Sequence, residues 1–130
     1  MENRSEIRNS GSDDLDQQSS ETSVDRALEE LLKVLETAAQ EQRQLTERVK
    51  ALQAARRDGA SWSEALAREE TPGTVQLVSS LLAGLSVVSG RLRRDLVVAL
   101  RGEGATIPAI ARRFGVTHQR VSSLLRQAGH

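Results

Sequence analysis

Cysteine is missing altogether, which excludes a disulfide framework and any thiolate metal site. Aromatic side chains are almost missing: Trp62 and Phe114 are the only two. A core with so few rings has to be assembled from Leu, Val and Ala, a composition that suits packed helices. The histidines are His118 and the terminal His130, a poor basis for an imidazole metal site. No apolar run reaches the roughly 18–20 residues needed to cross a bilayer. The opening MENRSEIRNSGSDD lacks the apolar core of an export signal. The expectation is a soluble cytoplasmic protein with no membrane partner. There is no Gly-rich phosphate loop, no pair of carboxylates in an apolar setting and no serine beside a plausible base. An enzyme is therefore the least favoured class, and no cofactor is implied. The 130 residues suffice for one ordinary domain, or for a small domain with appendages.

A net charge is also missing, but that zero hides a strong asymmetry. Residues 1–22 carry a formal −4, residues 23–58 balance, residues 59–88 carry −2, and residues 89–130 carry +6. The basic end holds eight arginines and no lysine against Asp95 and Glu103. A basic end on a neutral chain points to a local polyanion contact. Arginine is the side chain whose planar fork matches phosphate oxygens and guanine edges.

What is present reads as helix throughout. Residues 1–22, rich in Ser, Asp, Asn, Gln and Gly, form a disordered acidic tail on this reading, because they bury too little to offset the entropy of ordering. From Val24, with Ser23 as N-cap, a long helix runs to the Asp58-Gly59 stop. Heptad positions fit it: Leu28, Leu35, Gln42 and Val49 fall at a, and Val24, Leu31, Ala38, Leu45 and Leu52 fall at d. That spacing suits a coiled coil, with Leu28, Leu31, Leu35, Gln42, Leu45, Val49 and Leu52 as dimerisation residues and Gln42 fixing register. Ala27, Leu32, Val34 and Ala39 widen the apolar face, so folding back onto the same chain is the alternative.

Residues 59–88 form a helical connector. Ser61 and Glu64 make a capping box that opens a short helix ending near Glu70, and Trp62 in its first turn plugs the core. A second helix starts at Thr71-Pro72-Gly73, with proline in the first turn. Its body, TVQLVSSLLAGLSVVS, is apolar nearly all round and must be covered by neighbours or by a second subunit. It is too short and too serine-rich to span a membrane. Residues 89–130 open at Ser89-Gly90 and hold three helices. The first carries Leu92, Leu96, Val97 and Leu100, the second is capped by Thr106 with Pro108 in its first turn, and the third is capped by Thr117. No strand-like alternation appears, so the fold class is all-α: a long coiled-coil-like helix, then a small bundle ending in three short helices.

Gly115 interrupts ARRFGVTHQRVSSLLR at a place where glycine costs a continuous helix about 1 kcal/mol. A tight turn between two helices crossing at about 90–120° needs positive φ after the first helix, which glycine adopts cheaply. Such a crossing also needs a small residue four positions earlier, and Ala111 is there. Ile110, Phe114, Val116, Val121 and Leu124 fall where the unit must face inward. Thr117, His118, Gln119, Arg120, Ser122 and Ser123 fill the polar positions.

This pattern resembles the helix-turn-helix family of DNA-binding domains over roughly residues 90–127. The run GATIPAIARRFGVTHQRVSSLLR is most similar to the helix-turn-helix of resolvase-type recombinases and of the promoter-reading end of bacterial sigma factors. The resemblance implies a recognition helix within 116–127 that enters the major groove. It implies base contacts by His118, Gln119 and Ser123, with glutamine able to pair bidentately with adenine. Backbone contacts would come from Arg112, Arg113, Thr117, Arg120, Ser122 and Arg126, with an ion pair to Glu103 or Asp95 as the alternative use of Arg120. The chain departs from many sigma-like members in having uncharged residues at 118, 119, 122 and 123, which implies modest discrimination per half-site. The function expected is therefore a homodimeric transcriptional regulator on double-stranded DNA, located at the nucleoid. Two alternatives stand beside it: a coiled-coil adapter that binds RNA polymerase or a sigma factor, and a nucleoid-type binder without sequence preference.

Overall fold

The computed structural model describes the backbone from Asn3 to Gly129 and the side chains of Gly11 and of residues 14–129; Met1, Glu2 and His130 lie outside the described residues. Five helices follow one another: α1 (Asn3–Arg57), α2 (Trp62–Ala67), α3 (Thr74–Gly102), α4 (Ile107–Phe114) and α5 (His118–Gln127). There is no strand among the described residues, and the all-α reading holds.

α1 begins at Asn3, not at Ser23. Residues 3–22, expected as a disordered tail, are helical. The reason is local. Proline is absent from this stretch, and three hydroxyls near its end bond back into the helix: Ser20 donates to the Asp16 carbonyl, Thr22 to Gln18 and Ser23 to Ser19. A serine bonded back by four residues is compatible with a helix interior, so Ser23 is not a cap.

The chain divides into two compact units, with the boundaries inside α1, after Glu30, and inside α3, before Ser89. The unit Leu31–Val88 is a helical hairpin. A β-carbon added at Gly84 would lie 3.7 Å from Val34 Cγ1. Ser80 Oγ donates to Glu41 Oε1 at 3.4 Å, and Arg48 reaches Glu70 at 3.2 Å and the Pro72 carbonyl at 3.4 Å. Partners on α3 fall in number as those on α1 rise, so the two helices are antiparallel. The corner is built from small residues: Ala60 and Ala65 are buried, and Arg56 Nη1 donates to the Ala60 carbonyl at 2.8 Å. Ser61 caps α2 by accepting from the Glu64 N–H at 3.1 Å, as its spacing predicts. Removing that cap with Ser61→Ala is expected to cost about 1 kcal/mol, read from the denaturation midpoint.

Two expectations for the hairpin are corrected. Trp62 does not plug the core; it is 58% exposed, with the Arg56 guanidinium 4.4 Å from its ring centroid. The six-residue α2 turns only Ala65 fully inward, three positions on from Trp62. Pro72 precedes the next helix instead of occupying its first turn. Helix α3 starts at Thr74, whose N–H donates to the Glu69 carboxylate at 3.2 Å and whose hydroxyl donates to the same group. A carboxylate there also complements the positive end of the helix dipole.

Ser89-Gly90 opens no new helix. α3 runs through it for 29 residues, because Val88 is buried and Ser89, Gly90 and Arg91 are all half-buried, and packing outweighs the cost of an interior glycine. The nearest atom to a β-carbon added at Gly90 is Arg94 Nη1, at 3.5 Å on a flexible side chain. Gly90→Ala is accordingly expected to stabilise the protein by about 0.5–1 kcal/mol, measured by urea titration. The apolar helix is also not buried all round: Val75, Leu82 and Val87 are 70%, 61% and 71% exposed. As one continuous element, and contrary to the expectation that this stretch is too short, α3 is long and apolar enough to cross a membrane by length and composition alone, and 11% of the relevant window is buried.

The heptad rows of α1 part company. Leu31, Ala38, Leu45 and Leu52, at d, are half-buried, whereas Leu28, Leu35, Gln42 and Val49, at a, are exposed. Ala38 shares a groove with Leu81 and Gly84, and Leu52 shares one with Ala65 and Glu69 of the same chain. Folding back, the alternative in the sequence, takes the d row. The a row is left uncovered within the chain.

The second unit joins α1 up to Glu30 with α3 from Ser89, α4 and α5. Ala27 is fully buried, and Arg91 Nη1 donates to both Glu30 oxygens at 2.7 Å. Val97, Ile110, Ala111, Val121 and Leu124 form the core, with Leu100, Ile107, Phe114, Val116 and Leu125 packed around it.

Candidate nucleic-acid interface

The site is built by two capped helices around one turn. Thr106 caps α4 by accepting from the Ala109 N–H at 3.3 Å, with Pro108 in the first turn where its missing donor is harmless. Gly115 ends α4 in the left-handed conformation, at φ 66° and ψ 35°. Its N–H donates to the Arg112 carbonyl at 3.3 Å, and the Val116 N–H donates to the Ala111 carbonyl at 3.0 Å. Thr117 then caps α5 by accepting from the Arg120 N–H at 3.1 Å. The turn inferred from the sequence is thus present, with Ala111 buried where the helices approach.

Nothing lies within 4 Å of a β-carbon placed on Gly115, so the glycine is required by its backbone angles alone. Gly115→Ala is expected to cost about 1–2 kcal/mol. Gly115→Asn, which tolerates the left-handed region, is expected to recover much of that loss in the same thermal melt.

Burial fixes which face of α5 is free. Val121 and Leu124 point into the core. On the opposite side Gln119, Ser122, Ser123 and Arg126 stand at positions i, i+3, i+4 and i+7, one continuous row. Gln119 and Arg126 are exposed and both serines are half-buried. His118 is exposed but sits at the edge of this row, and Arg120 sits at the other edge. Arg126, assigned to backbone contacts by resemblance, therefore shares the central line with Gln119. The sequence carried that signal in the seven-residue spacing from Gln119.

The electrostatics separate two kinds of arginine. Arg91 is committed to Glu30 and lies 3.9 Å from Asp95, and Arg101 Nη1 donates to the Ala105 carbonyl. Arg112, Arg113, Arg120 and Arg126 are exposed, and none enters an ion pair among the described residues. The alternative partners for Arg120, Glu103 and Asp95, do not engage it. Four free guanidinium groups on two adjoining helices, one of them Arg126 within the row that also holds Gln119, Ser122 and Ser123, make a surface that can hold a polyanion and present amide and hydroxyl groups to it. No group of three or more potential metal ligands occurs among the described residues. No family model, curated protein or solved structure matches this chain.

Proposed function

We propose that the chain is a sequence-reading, DNA-binding transcriptional regulator of the helix-turn-helix kind, acting as a homodimer on double-stranded DNA. The observation that carries this reading is the outward row Gln119, Ser122, Ser123 and Arg126, flanked by uncommitted arginines, on a helix set off by the Gly115 turn. In this reading α5 lies in the major groove. Gln119 pairs with adenine, Arg126 reads guanine or a phosphate, and His118 and Ser123 supply less selective contacts. Arg112, Arg113 and Arg120 grip the backbone, with Ser122 and the start of α5 at Thr117 donating to phosphates.

One such module with so few charged groups on its reading face would bind weakly, and non-specific constants of roughly 10⁻⁴–10⁻⁶ M are ordinary. Two modules on one dimer would engage two half-sites and gain from effective concentration. The deciding experiment is selection of bound duplexes from a random pool, followed by anisotropy titration of the winners. A recurring motif with two-fold symmetry, weakened about 5–100-fold by Gln119→Ala, is the expected result. Retention of DNA without a recurring motif would leave a nucleoid-type binder, and no retention at all would end the proposal.

A further inference from the structure

The hairpin Leu31–Val88 has two unlike faces. One side of the groove between α1 and α3 is polar, with Lys33, Thr37, Glu41 and Ser80 along it. The other side is apolar. On α1, Leu32, Leu35, Ala39, Gln42, Thr46 and Val49 form a row about a third of a turn from the residues that pack on α3, at roughly 100° per residue. On α3, Val75, Val78 and Leu82 form a row displaced by the same angle and in the same sense from inward-facing Leu77, Leu81 and Val88. Because the helices are antiparallel, equal displacements of the same sense lead to one side of the hairpin. Leu32, Leu35, Val49, Val75, Val78 and Leu82 are between 39% and 70% exposed. From Thr74 to Gly90 the sequence holds no charged residue at all, so only the hydroxyls of exposed Ser79 and Ser86 relieve the apolar character of this side of α3.

We infer that this face is the subunit interface of a homodimer, in which the hairpins of two identical chains close into an intermolecular four-helix bundle. Three features select a second copy as the occupant. The six exposed side chains present an apolar patch on the order of 600 Å², at the upper end for an ordinary monomer, and with the half-buried residues beside them approach the ~800 Å² per partner of a stable interface. The α1 edge of the patch carries charges of both signs, Glu36 and Glu47 with Arg43 and Lys50, which suits an identical surface and not an anionic lipid layer. Gln42 interrupts the α1 row, as a polar group does when it fixes register between helices, whereas a bilayer would leave its amide unpaired; the Thr46 hydroxyl is already satisfied by the Gln42 carbonyl at 2.8 Å. Of the heptad residues on α1, only Leu35, Gln42 and Val49 belong to this face; α3 supplies the rest.

The inference does not depend on DNA binding and is tested without it. Sedimentation equilibrium of the full chain is expected to give a dimer at about 20 µM. Leu35→Glu combined with Leu82→Glu is expected to weaken association at least 100-fold while leaving far-ultraviolet circular dichroism unchanged, since both side chains already face out of the chain. The lack of native cysteine permits a second measurement that leaves the fold untouched. Val78→Cys is expected to give covalent dimers with a short bismaleimide, and Ser80→Cys, on the polar side, is expected to give none. A monomer at 100 µM, a dimer indifferent to the double substitution, cross-linking through position 80 but not 78, or a monomer that floats with phosphatidylglycerol vesicles would each overturn the inference.

Discussion

Truncating Leu124 to alanine is expected to destabilise the unit formed by α3, α4 and α5 by about 3 kcal/mol, most of what a unit this small possesses. Leu124 is 1% exposed and meets Val97, Ile110, Ala111 and Val121, which are equally enclosed. The vacancy left by its isobutyl group is bordered by both helices of the turn, so neither can move in without losing the Gly115 geometry. The control is Val87→Ala. Val87 lies in the greasiest stretch of the sequence, yet it is 71% exposed and off the row proposed to pair, and its truncation is expected to change stability by no more than about 0.5 kcal/mol. Urea unfolding followed by circular dichroism separates the two. Equal losses would mean that enclosure at Leu124 is not what holds α4 and α5 together.

The second large effect concerns ionic strength. If Arg112, Arg113, Arg120 and Arg126 each neutralise one phosphate, the logarithm of the DNA association constant should fall with the logarithm of salt concentration at a slope near −3.6 per monomer. Raising salt from 50 to 200 mM then weakens binding about 100-fold, and replacing all four by glutamine flattens most of that dependence. Single replacements should divide according to position. Arg112→Gln and Arg113→Gln, on α4, should weaken all duplexes alike and reduce the slope by about one unit. Arg126→Gln, in the central row with Gln119, should also relax the preferred sequence. A slope near zero would direct attention to an apolar protein partner in place of DNA.

Much of the C-terminal unit is legible in the sequence, because its signals are local. Thr106 and Thr117 cap helices through their own side chains, as Ser61 does in the hairpin, and Gly115 adopts the one backbone region that sets glycine apart. Such features need no knowledge of distant neighbours. The sequence misleads where distant packing decides. Ser89-Gly90 carries the marks of a helix boundary, but neighbouring buried and half-buried residues hold it in α3. Trp62 has the composition of a core residue, but the corner around it is lined by alanines. The a and d rows of α1 are indistinguishable as a sequence pattern, and only the antiparallel return of α3 shows that one is taken and the other free. On the candidate site, the row Gln119, Ser122, Ser123 and Arg126 was implicit in the spacing, while the difference between committed Arg91 and uncommitted Arg120 depends on which acids come within reach.

Trp62 gives the molecule a built-in optical reporter. It is the only tryptophan, there is no tyrosine to compete with it, and its indole lies in solvent beneath the Arg56 cation at the α1–α2 corner. Its emission should therefore be red-shifted and readily quenched by iodide. The signal belongs to the hairpin alone, so it follows the unfolding of that half of the chain separately from the core around Leu124.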